Sequence, residues 1–142
     1  MAQPDTILYL PRPLINKVLA HAQQHPDIEV CGLIGNNPSS REKEYYPINN
    51  VSKNPGHRFL MDAPQQINAM KQMRDKQQQL FAIVHSHPDT EATPSLFDIE
   101  QSSYKEVFYL IVSLNTKGVL EIRAYAQQQD SMRELDLILE EN

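Results

Sequence analysis

His85 and His87 stand one residue apart at the end of the apolar, branched run LFAIVH, residues 80–85. On an extended strand, residues two apart project from the same face, so two imidazoles in this register converge on one point. Asp98 follows eleven positions after His87, beyond a loop bounded by prolines. Two ring nitrogens and one carboxylate oxygen suit a zinc ion, which takes such ligands at roughly 2.0–2.2 Å. Three protein ligands leave a fourth position for water, the mark of a catalytic rather than a structural zinc site. Zinc lowers the pKa of its water and polarises a carbonyl, but a carboxylate outside the ligand set must still move the proton. Glu29, just ahead of the strand-like segment VCGLIG, is the candidate for that acid–base task. The Ser95 hydroxyl is the candidate donor to an oxygen that gains negative charge, a contribution typically worth ~2.7–4 kcal/mol.

Taken singly, each of these residues has a plainer reading. A pair of histidines two apart is commonly a surface feature. Ser95 and Asp98 spell a capping box at a helix start. Glu29 is an acidic residue after a turn. Their joint occurrence is what points to hydrolysis. Cys31 reads as a small buried core residue rather than a nucleophile or a fourth ligand. His21 and His25, near a helix end, and His57 and Arg58, ahead of a strand, read as surface or capping groups. Asp89 and Glu91 read as solvated residues near the metal.

The elements that must position these groups follow from pattern. Residues 6–10 form an apolar run ending at Pro11, expected as a strand. Leu14, Ile15, Val18, Leu19 and Ala22 recur at helical spacing, and that helix is expected to stop before Pro26. Residues 30–35 read as a buried strand, 44–51 as a strand interrupted by Pro47, and 58–61 as a short strand. Pro64 opens a second helix expected to reach about Gln78, proline being favourable in a first turn. Residues 80–85 form a central strand, rich in branched and aromatic residues. Residues 95–104 look helical, and strands at 107–114 and 119–125 are joined by a turn at 115–118. Residues 131–141 fit a strand or a helix equally. Alternation followed by a hairpin predicts an α/β fold, a mixed β-sheet flanked by helices, forming a single domain over residues 1–142.

Glu29, the HSH of residues 85–87, Ser95 and Asp98 together resemble the JAMM motif of the JAB1/MPN/Mov34 metalloproteases, and the short prokaryotic members are closest in size. EVCGLIG at 29–35, RFLMDAPQQ at 58–66 and FAIVHSHPDTEATPSLFD at 81–98 are similar to family segments, in the family's order. The resemblance extends over roughly residues 5–125. It implies a JAB1/MPN fold similar to cytidine deaminases, with one zinc per chain held by His85, His87 and Asp98. It also implies Glu29 as general acid–base residue and Ser95 as oxyanion stabiliser. The implied substrate is an amide or isopeptide bond at the C-terminal Gly-Gly tail of a ubiquitin-like or sulfur-carrier protein of the ThiS/MoaD type. Only ten residues separate His87 from Asp98, without the long insertions of ubiquitin-chain-specific members, so linkage-specific cleavage is not expected. A non-catalytic MPN scaffold is the alternative, but such members usually lose ligands and none is missing here. A zinc deaminase needs a P-C-x-x-C pattern, which a lone cysteine excludes.

Composition narrows the partners. With 13 basic against 18 acidic residues the net charge is -5, and no basic cluster offsets it, so nucleic-acid binding is not expected. Mean hydropathy is -0.52 and no run approaches the ~20 apolar residues of a membrane helix, so no membrane association is expected. The N-terminus lacks a secretory pattern and the single cysteine forms no intrachain disulfide, which together suggest a cytoplasmic location.

Overall fold

The computed structural model describes residues 6–101, 104, 106–115 and 120–141. Its frame is a seven-stranded mixed sheet in the order β1-β7-β6-β5-β4-β2-β3. The strands are β1 (Ile7–Pro11), β2 (Cys31–Asn36), β3 (Lys43–Ile48), β4 (Gln79–His87), β5 (Phe108–Ser113), β6 (Glu121–Gln128) and β7 (Ser131–Glu140). The β1/β7 and β4/β5 pairs are parallel and the others antiparallel. Three helices accompany them: α1 (Arg12–Gln24), α2 (Ala63–Asp75) and the short α3 (Leu96–Gln101). The expected α/β class with a mixed sheet between helices is the one observed.

Alternation along β4 and β5 divides the apolar residues between two faces. Ala82, Val84, Leu110 and Val112 join Leu14, Ile15 and Val18 of α1 in one core. Ile83, Tyr109 and Ile111 join Leu33, Ala69 and Met73 in a second core under α2. From Ala82 onward, odd-numbered residues of β4 therefore face α2. His85 and His87 continue that odd series beyond Ile83, so the parity that buries Ile83 also aims both imidazoles at one place.

Several elements differ from expectation for identifiable reasons. The strand expected over residues 58–61 reduces to a single bridge between Asn50 and Met61. There the Asn50 side chain takes the bonds that a ladder would use: its Oδ1 accepts from Leu60 N–H, and its Nδ2 donates to the Arg58 carbonyl. The second helix stops at Asp75 rather than near Gln78. Gln77 adopts a left-handed φ of 59° and Gln78 N–H closes back on the Met73 carbonyl at 2.7 Å, a Schellman-type end. Pro47 does not interrupt its strand: β3 lies at the sheet edge, where a missing N–H is tolerated. The third helix is described over Leu96–Gln101; Tyr104, expected within it, is not helical, and residues 102 and 103 lie outside the described residues. Residues 131–141, ambiguous by pattern, are largely strand, because β6 and β1 offer ladders on both sides. Most of the expected turn at 115–118 lies outside the described residues.

Gly32 in β2 is required by close packing. A Cβ built there would lie 2.5 Å from the Tyr45 ring and hydroxyl. Tyr45 is buried and its hydroxyl bonds His21 Nδ1 at 2.7 Å, so the ring is held against α1. Gly32→Ala is expected to cost about 1–3 kcal/mol through overpacking. The urea midpoint should fall with an unchanged slope, and a wild-type midpoint would show that the ring yields freely.

Candidate metal centre

The end of β4 and the first turn of α3 meet at a buried polar point. His85 Nε2 and His87 Nε2 are 3.1 Å apart. Asp98 Oδ2 lies 3.1 Å from the first and 3.0 Å from the second. Ligand atoms of Glu29, His85, His87 and Asp98 all fall within 4.8 Å of one another, and all four residues are buried. The structure thus brings together four of the five residues singled out from sequence. Among the described residues these four form a cluster able to hold a metal ion.

The donor chemistry fits such an ion. His87 Nδ1 lies 2.7 Å from the Glu91 carbonyl. A carbonyl only accepts, so Nδ1 carries a proton; Nε2 donates to Asp98 only while the ring holds a second proton, and loss of that proton turns its lone pair toward the cluster. Asp98 Oδ2 already accepts the Ser95 backbone N–H at 2.9 Å and is anchored by it. The Phe59 ring stacks on His85 at 4.7 Å and fixes its plane. Glu29 Oε1 is buried with no hydrogen-bond partner. Such a group normally costs ~1–3 kcal/mol, so a concentration of acceptors around an uncommitted carboxylate suits a cation.

Electrostatics separate the two carboxylates. Burial works against charge on Asp98, but hydrogen bonds from His85 and His87 prevail and hold its carboxyl far below the ordinary range. Glu29 lacks such donors. Burial pushes it up to about 7, the nearby His87 pulling it down and Asp98 adding to the rise. Burial lowers the pKa of His85, whereas on His87 the burial effect is outweighed by Asp98 and the Glu91 carbonyl, which raise it.

A linkage consequence follows for the metal-free protein. Glu29 titrates near 4.5 when unfolded and near 7 when folded, so between those values the folded state holds the extra proton. Through this group stability is greatest at low pH and is lost as pH rises to about 7. Glu29→Gln, which cannot ionise, is therefore expected to be the more stable metal-free form at pH 8, by ~1–3 kcal/mol, with little advantage at pH 4. Thermal melts of both proteins in chelator at the two pH values check this. Equal differences at both would show that Glu29 does not titrate in that window.

Ser95 sits differently from the other four. It is exposed, and its Oγ accepts Asp98 N–H at 3.0 Å while its own N–H goes to Asp98 Oδ2. This is the reciprocal cap that the S-x-x-D spacing suggests, and it leaves the hydroxyl proton free to donate. Cys31 is in the core, bonds the Ile48 carbonyl at 3.3 Å, and has its thiol pushed up to about 12 by burial. That environment makes it inert. Arg58 lies over the Phe97 ring at 4.5 Å. His21 packs against His25 and bonds Tyr45 within the fold.

Two contributors escaped pattern reading. Ser86, the middle of HSH, is fully buried, and its Oγ accepts Val30 N–H at 2.9 Å while its own N–H bonds the Val30 carbonyl at 3.0 Å. It ties the residue after Glu29 to the strand of the two histidines. Asn50 donates to the Glu29 carbonyl at 2.8 Å. The signal for Ser86 lay inside the motif; for Asn50 a lone loop asparagine offers none. A cavity of about 270 Å³ opens beside His85 and Asp98, walled by Phe59, Leu60, Met61, Ile83, Tyr104 and Tyr109 among others.

The family model for prokaryotic homologs of the JAB domain matches residues 11–128. The chain belongs to this family. As a JAB domain it is 31% identical over 121 residues to a CysO-cysteine peptidase of Mycobacterium tuberculosis, covering 84% of this chain and 82% of that one. It is 34% identical over 114 residues to a probable TtuB-protein conjugate cleaving protease of Thermus thermophilus, covering 80% and 73%. A solution structure from Desulfitobacterium hafniense superposes on the JAB domain with a TM-score of 0.82 at 32% identity, covering 96% of this chain and 94% of that one. Among the described residues, no helix of this JAB domain is long and apolar enough to cross a membrane.

Proposed function

We propose that this JAB domain is a zinc-dependent peptidase that hydrolyses the amide bond at the C-terminal tail of a ubiquitin-like or sulfur-carrier (ThiS/MoaD-like) protein. The observation that carries the reading is the convergence of His85 Nε2, His87 Nε2 and Asp98 Oδ2 beside a buried carboxylate committed to nothing else. His85, His87 and Asp98 would hold one zinc per chain. Zinc, when bound there, supplies a Lewis acid and makes water acidic enough to attack near neutral pH.

The chain's own residues do the remainder. Glu29, buried with its Oε1 unpaired, takes a proton at its carboxylate and delivers it to the leaving amine. The Ser95 hydroxyl, held at the start of the Asp98 turn, donates to the carbonyl oxygen as it becomes anionic. The apolar cavity beside His85 receives substrate and keeps bulk water from the reacting carbonyl. The relatives' names support the substrate class: one acts on a CysO–cysteine bond and another on TtuB–protein conjugates. The cytoplasm is the proposed location.

Mass spectrometry of ThiS/MoaD-type carriers bearing a C-terminal extension after Gly-Gly tests the proposal. Incubation with the zinc-loaded protein is expected to remove the extension and leave a free Gly-Gly end. Intact carriers after prolonged incubation, alongside full zinc occupancy, would count against this substrate class.

A further inference from the structure

Glu29 Oε1 has no hydrogen-bond partner, so the aim of its carboxylate depends on how its backbone is held. Both backbone groups are bonded. The N–H donates to the Pro55 carbonyl at 2.7 Å, and the carbonyl accepts Asn50 Nδ2 at 2.8 Å. The same nitrogen donates to the Arg58 carbonyl at 2.9 Å and lies 3.4 Å from the Pro55 carbonyl. On its other side, Asn50 Oδ1 accepts the N–H groups of Ser52 and Leu60, each at 3.0 Å. One carboxamide thus joins the Glu29 segment to the strip at residues 58–61. That strip places Phe59 on the His85 ring and puts Leu60 and Met61 in the cavity wall.

We propose that Asn50 is a positioning residue for the hydrolysis: its carboxamide sets Glu29 and the cavity wall at one fixed separation. The inference rests on the peptidase reading above. A loop-stabilising role would need only Oδ1, which makes the short-range turn bond to Ser52 that asparagine commonly makes. The Nδ2 bonds go elsewhere, to carbonyls 21 and 8 residues away, and one of those belongs to Glu29 itself. Donor and acceptor ends therefore have separable duties. The donor end holds the Glu29 and Arg58 carbonyls, and the acceptor end holds the N–H groups of Ser52 and Leu60.

Asn50→Asp separates them. It keeps shape and the Oδ1 acceptor but sets an oxygen against the Glu29 carbonyl. On a carrier with a C-terminal extension, kcat is expected to fall about 100-fold, since a displacement near 1 Å can cost that much. KM should rise several-fold as the cavity wall loosens, whereas Glu29→Gln lowers kcat alone. Zinc content should stay at one per chain. In the metal-free protein, amide exchange at Glu29 should speed up about 10-fold, the worth of one hydrogen bond, with Leu110 unchanged. Asn50→Ala, which adds no charge, should show the same losses. An Asn50→Asp enzyme with wild-type kcat, or wild-type exchange at Glu29 in both variants, overturns the proposal. If the wild type itself cleaves nothing, the peptidase reading fails, and the exchange measurement still decides whether Asn50 holds Glu29.

Discussion

His87→Ala is expected to leave the purified protein without zinc and without measurable hydrolysis, the largest loss of any single substitution here. His87 Nε2 lies 3.1 Å from His85 Nε2 and 3.0 Å from Asp98 Oδ2, at the heart of the proposed ligand set. His87 is also the only histidine of the pair whose far nitrogen is anchored, by the Glu91 carbonyl. Loss of an outer partner of this kind alone commonly costs ~10–100-fold in metal affinity, and loss of the ligand itself costs more. Two ligands do not define a catalytic zinc site, and a buried Asp98 would lose one of the donors that keep it ionised. Elemental analysis of both proteins, with circular dichroism to confirm that the variant folds, checks the expectation. Wild-type zinc content in a folded His87→Ala protein would remove the metal assignment.

Glu29→Gln should behave in the opposite way, keeping about one zinc per chain while kcat falls by ~10²–10⁴, the usual worth of a positioned acid–base group. Glutamine has nearly the same shape, so the backbone bonds from Glu29 N–H and to its carbonyl survive. What disappears is the buried carboxylate proposed to accept and return the proton. KM should change little, because the side chain is buried beside the two histidines and Asp98 rather than lining the apolar cavity. Undiminished turnover in the zinc-loaded variant would assign the proton to another group. Together the two substitutions separate metal retention from proton transfer, two functions that a loss of activity alone confounds.

The spacing of the motif determined which side chains could meet. His85 and His87 share a face because a strand has a period of two, and the structure shows that it is the face of the buried Ile83. Asp98 could return to them because eleven residues with prolines at the bends give a loop long enough to fold back and start a helix. Apolar periodicity likewise disclosed α1, β2 and the central strands, since burying one face imposes its own pattern on a segment. The elements that misled were those whose partners lie far along the chain. Residues 58–61 look like a strand, yet a side chain from Asn50 captures their polar groups. Residues 131–141 suit two conformations until β1 and β6 present open ladders on either side. Tertiary structure alone decided how Glu29 is held and how acidic it is. Its aim depends on Pro55, Asn50 and Ser86, and its raised pKa on burial. Hydrogen bonds between distant segments and exclusion of water arise only when the chain has closed, so no local pattern records them.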